Sequence, residues 1–267
     1  MEIMALRIVW CALFVWLYLL LREGWRWWQP ILRQPRQALA LGAAGVVIGA
    51  NWWLYIWAVN NDHVVEASLG YFINPLVNVA LGVLLLGETL NRRQALAIVL
   101  AAAGVIWLTY DHGRLPWIGL GLALAFAAYG LLRKLTPVGA ISGLGIETTL
   151  LAPLALALLA LSASRGELAF GAQLWPQDTL LALGGLVTAV PLILFAYGAR
   201  RIPLTQVGLL QYLAPTIQLL LGVFWLGEPF GPSRALGFAL IWAALAVYAL
   251  DSLLRARRPL PVAAPAE

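Results

Sequence analysis

The chain has 267 residues, 62% of them hydrophobic and 11% charged, with a net charge of +5. A water-soluble domain carries about 25% charged residues, and a disordered chain is far poorer in apolar residues, so both classes are excluded. One cysteine, Cys11, and two histidines, His63 and His112, leave no disulfide framework and no ligand spacing suited to a metal.

What remains is an all-α polytopic membrane protein. A bilayer core about 30 Å thick takes roughly 20 apolar residues per helix. Nine such runs follow one another, at 2–21, 37–59, 65–87, 94–110, 117–133, 141–161, 179–199, 205–227 and 233–252. They are read as helices because lipid offers no partner to an unpaired backbone group. The first run carries Arg7 and leads into a loop with Arg22, Arg26, Arg33 and Arg36. The second holds Asn51 and Trp52 and is followed by Asp62, His63 and Glu66. Tyr71, Asn74, Pro75 and Asn78 lie in the third, which ends at Gly87-Glu88. Tyr129 lies in the fifth, before Arg133-Lys134, and Glu147 in the sixth. Tyr197 closes the seventh, before Arg200-Arg201. The eighth contains Gln211, Tyr212, Pro215 and Gln218 and ends at Gly227-Glu228. Residues 253–267 form a basic, then Pro/Ala-rich tail that is expected to be disordered.

Placing the first loop in the cytoplasm puts 13 of the 17 basic residues inside and 4 outside. The positive-inside bias then predicts a cytoplasmic C-terminus. The charge surplus is explained by topology and gives no reason to expect nucleic acid as a partner.

The chain also repeats itself. When it is laid on itself without a gap so that Pro75 meets Pro215, Pro75–Glu88 falls on Pro215–Glu228 with seven of 14 positions identical. The same shift lays the first four spans on the last four, whereas 117–133 maps to positions before Met1. Each full unit then has five helices, an odd number, so the two copies run oppositely through the membrane. Inverted repeats of this kind mark transporters, with the site near the midplane. The expected units are 1–111 and 117–252, four helices plus five here and five plus five in the complete fold. The chain is therefore expected to lack a first helix, through a late start codon or a real truncation.

The residues themselves resemble a known family. Asn51-Trp52, Ile56–Asn61, Glu66–Asn78, Leu86–Glu88, Tyr129–Lys134, Ile146–Thr148, Pro191-Leu192 and Gln211–Thr216 closely resemble the RarD subfamily of the EamA branch of the drug/metabolite transporter superfamily. The resemblance implies an inner-membrane permease of ten helices in two inverted halves with both termini cytoplasmic. One departure is Leu6, where the family usually has a histidine before the arginine that is Arg7 here.

Charge at the bilayer centre costs at least ~2.5–3.5 kcal/mol, so Arg7 and Glu147 are the ionisable candidates. They occupy equivalent positions of the two copies. Inversion puts Arg7 near the outer face and Glu147 near the inner one, so no ion pair between them is expected. Glu147 reads as a proton- or cation-linked carboxylate lining the cytoplasmic vestibule, or as an acid at a helix start beside the cap Ser142. Arg7 reads as part of a solute path or as an interfacial anchor. Pro75 and Pro215 free the carbonyls of Tyr71 and Gln211 and are expected to kink helices that border a cavity or to shape packing. Around them Asn51, Trp52, Tyr71, Asn74, Asn78, Tyr129, Tyr197, Gln211, Tyr212 and Gln218 are the substrate-cavity candidates, although amides serve equally as bonds between helices. Glu88 and Glu228 read as structural acids, solvated or paired with Arg92 or Arg234.

The function expected is secondary transport of a small metabolite or drug-like amphipathic solute, by alternating access at the repeat interface. The partners are that solute and the bilayer, with no cofactor and no metal. Proton coupling and a homodimer stay open. The rival readings are a non-transporting interaction protein, a transporter inactivated by truncation, and a membrane enzyme. The last has no G-x-S-x-G or H-E-x-x-H to rest on.

Overall fold

The computed structural model of the chain describes residues 2–256 apart from 112, 114, 169, 172–174, 226 and 228–230. His112, Arg114, Glu228 and the tail beyond 256 therefore lie outside the described residues. Among the described residues the fold is all-helical, as expected: α1 Glu2–Glu23, α2 Gln29–Leu32, α3 Pro35–Asn60, α4 Val64–Leu86, α5 Arg92–Asp111, α6 Trp117–Leu135, α7 Ala140–Ser164, α8 Trp175–Ala199, α9 Leu204–Gln211, α10 Leu213–Phe224 and α11 Pro232–Ala256. With α9 and α10 counted as one span, nine helices among the described residues are long and apolar enough to cross a bilayer. The unexpected element is α2, a single turn with proline near its start.

Proline and glycine set the boundaries. Pro35 opens α3, where its missing N–H costs nothing. Gly87, at φ +64°, ends α4 in the left-handed conformation that glycine adopts freely, and the Glu88 N–H returns to the Gly82 carbonyl at 3.0 Å. The two mid-span prolines act differently. Without an N–H at Pro215 the Gln211 carbonyl loses its helical donor, and the chain breaks at Tyr212 between α9 and α10. Helix α4 continues unbroken through Pro75.

Of the four helix pairs related by the repeat, three pack side by side and run antiparallel among the described residues, whereas α3 and α8 do not pair but lie on α6 and α7 and on α1 respectively. Met4 and Ala155 share one hydrophobic cluster, and Trp16 bonds to Thr149, between α1 and α7. Gly208 of α9 lies against the Pro75 carbonyl of α4, and a Cβ on Gly82 would touch Thr205. Between α5 and α11, Gly104 meets the Gly237 carbonyl, and Asn91 bonds to Asp251 at 2.6 Å.

The buried apolar residues form two principal cores. The first joins α1, α3, α7 and α8 around Cys11, Leu19, Ile48, Leu144 and Leu192. The second joins α4, α5, α9 and α11 around Ile73, Ala101, Leu209, Tyr212 and Ile241. Each core takes helices from both ends of the sequence. Helix α6 contributes Tyr129 to the first and Ala123 to the second.

Candidate functional site

The deepest charges are on α6 and α7. Arg133 and Glu147 are both 0% exposed, with a guanidinium nitrogen 3.3 Å from a carboxylate oxygen. Tyr129 donates its hydroxyl to the other oxygen at 3.1 Å. Arg133 also donates to the carbonyls of Gly139 and Ala140 at 3.2 and 3.1 Å. Gly143 makes room for this group, since a Cβ there would collide with the Arg133 guanidinium. Burying two ions is costly unless they neutralise each other, and here they do. Glu147 therefore does not line a vestibule in this conformation, which corrects the first expectation. Nor does Ser142 cap it, because α7 starts after Gly139 without a side-chain cap. The sequence reading missed Arg133, which it counted as a loop charge beside Lys134.

The amides meet at the crossing of α4 and α9. Gln211 accepts from Asn78 at 2.6 Å and from Asn74 at 3.1 Å. Asn78 Oδ1 and the Tyr212 hydroxyl are buried with no hydrogen-bond partner among the described residues. Asn51 stands apart, donating to the Leu122 carbonyl of α6 at 2.9 Å.

Arg7 belongs to a third place. Its Nε donates to Thr188 of α8 at 2.9 Å. Together with Met4, Trp52, Tyr55 and Ile56 these residues line a cavity. Tyr71 packs edge-on against Tyr55, with centroids 6.3 Å apart. As expected, Arg7 and Glu147 do not pair. Thr188, which holds the guanidinium, gave no sign of that in the sequence.

Two cavity candidates do not join these groups. Tyr197 is 52% exposed and stacks under Arg201, whose guanidinium carbon lies 3.2 Å from the ring centroid. Gln218 is exposed on α10.

Polar groups gather at the end of the bundle where α4, α6 and α8 finish. Glu88 accepts the backbone N–H groups of Leu204 and Thr205 at 2.6 and 2.8 Å. It is thus the cap of α9, not a solvated acid beside Arg92. Lys134 lies 4.0 Å from Glu88 and donates to the carbonyls of Ala199 and Ile202. Arg200 donates to the Val138 carbonyl. Burial, then repulsion from Arg133 and Arg201, lowers its pKa from the usual arginine value. At the opposite end Glu66 accepts the N–H of Ile118, at the start of α6, at 3.0 Å.

The model of the EamA-like transporter family matches residues 1–110 and 115–250. The chain is 48% identical to the protein RarD of Streptomyces exfoliatus, across 96% of this chain and 82% of that one. It is 44% identical to the "Uncharacterized transporter YojE" of Bacillus subtilis, across 95% and 85%. A solved crystal structure, 23% identical, shares the fold with a TM-score of 0.67 over 96% of this chain and 88% of that one. The chain is a multi-pass membrane protein of the EamA-like transporter family.

Proposed function

We propose that the chain is a secondary transporter of small amphipathic solutes in a bacterial inner membrane, working by alternating access between its two helix cores. The observation that supports this most is the opposition of its ends. The cavity with Arg7 lies toward the end where α1 begins, with Met4 and Arg7 from the first turns of that helix in its lining. The other end is closed by Glu88, Lys134 and Arg200 on the ends of neighbouring helices. A cavity toward one end and a bonded, shut side at the other is the asymmetry that alternating access would use. On the charge distribution of the loops the shut side and the C-terminus are cytoplasmic.

Coupling is proposed to run through Glu147. A proton on its carboxylate would neutralise one partner of a buried pair and leave Arg133 uncompensated, which favours a rearranged state. Counterflow in proteoliposomes with a panel of amphipathic metabolites tests the reading. A solute that exchanges only with protein present supports it, and a panel that yields no flux at any imposed proton gradient overturns it. A reporter fused after Arg36 is expected to read cytoplasmic, and an external signal would reverse the orientation.

A further inference from the structure

Arg7 sits one and a half turns into α1, yet its side chain does not return to that end of the helix. Helices α1 and α8 start at the same end, since Glu2 accepts the N–H of Phe170 just ahead of α8. The Arg7 stem passes the site of Gly184, whose Cβ would stand 3.4 Å from its Cγ. Its Nε then reaches Thr188, one turn farther in. Thr188 lies near the middle of α8, which runs from Trp175 to Ala199, and so near mid-span. An interfacial arginine would extend the other way.

The guanidinium there is held by one bond, through Nε. No carboxylate among the described residues lies within 4.0 Å of it, and no acceptor among them takes its terminal nitrogens. None of the residues that line the cavity is acidic. The room is about 30 Å³, roughly twice what one ordered water needs. That suits a carboxylate head and not a whole solute. Trp52 and Tyr55 flank it, and Tyr71 continues the aromatic wall.

We propose that this pocket binds the carboxylate of a monoanionic solute with an apolar or aromatic body. The two terminal nitrogens of Arg7 take the two oxygens in the fork geometry that guanidinium offers. Thr188 is a positioning residue that fixes the plane of the fork. An ammonium group finds no counter-charge in the lining, so cationic solutes are excluded. This assignment deepens the transport reading and rests on it for its meaning, but its binding test stands alone.

The test is calorimetric titration of the detergent-purified full chain with 3-phenylpropionate and with 3-phenylpropionamide. The acid is expected to bind at least tenfold more tightly. Arg7→Gln should erase the difference by weakening only the acid, Arg7→Lys should restore part of it, and Thr188→Val should weaken the acid several-fold. Equal affinities in the unaltered chain, or a preference that survives in Arg7→Gln, overturn the proposal. The rival ligand is a lipid phosphate. Phosphatidylglycerol that co-purifies with the unaltered chain but not with Arg7→Gln, and that the acid fails to displace, also overturns it. The transport reading fails separately. Arg7-dependent binding with no counterflow of any solute keeps the site and removes the transporter, whereas amide counterflow without acid preference does the reverse.

Discussion

At the scale of single residues, the buried pair decides what Glu147 can tolerate. Glu147→Gln leaves Arg133 charged and fully enclosed, and breaking a buried pair in this way costs about 3–5 kcal/mol. The variant is expected to lose thermal stability in detergent, and Glu147→Gln combined with Arg133→Met to regain most of it. Equal melting of single and double variants would mean that the two charges are not coupled. Gly143→Ala should behave like the single variant, because its methyl would occupy the place of the guanidinium. The sequence made Glu147 conspicuous, since a carboxylate in an apolar run has little ordinary reason to be there. It hid Arg133, because an arginine beside a lysine at a span end looks like a topology signal. The difference is burial, which a neighbouring helix decides and local sequence does not.

At the scale of helices, the ends and the crossing carry different information. Gly87 folds the chain back so that Glu88 tucks under Gly82, where a Cβ would stand 2.6 Å from its carboxylate, and meets two free N–H groups of α9. Glu88→Gln, which keeps the size but loses the charge at the positive end of a helix, should lower stability by about 1 kcal/mol. Glu88→Ala should cost more, and a melting temperature unmoved by either would deny the cap. At the crossing, Gln211→Leu removes the acceptor of the Asn74 amide nitrogen and leaves Asn78 only its longer bond to Asn74 at 3.4 Å, and an unsatisfied buried amide costs about 1–3 kcal/mol in thermal stability. The span limits were legible because apolar runs end at charges, prolines and glycines. The division of the eighth span was not, for Pro75 and Pro215 occupy equivalent positions and only one of them interrupts its helix. Local sequence does not separate them; the unbroken helix is the one whose Pro75 carbonyl lies against Gly208 of α9.

At the scale of the molecule, the internal repeat visible in the sequence corresponds, for three of its four helix pairs, to helices that lie side by side. The sequence suggested two units meeting at one interface. In the structure each core is built from both units, so under the proposed alternating access the moving bodies would differ from the sequence halves. Helices α4 and α9 should then travel together. In a background with Cys11→Ser, Leu81→Cys with Val207→Cys, positions that share one hydrophobic cluster between α4 and α9, should cross-link on oxidation and spare counterflow. Flux abolished by oxidation and restored by reduction would place the motion inside that core.

The cap on α9 also bears on how the chain is assembled. The two N–H groups that Glu88 satisfies belong to residues 116 and 117 positions later in the chain. A growing polypeptide emerges from its N-terminal end, so the acceptor is already in the bilayer when α9 is synthesised. The order of synthesis thus supplies the second half of the bundle with a ready docking point on the first. A chain cut in the loop between α6 and α7 should therefore assemble better when the upstream piece is made first than when the downstream piece precedes it.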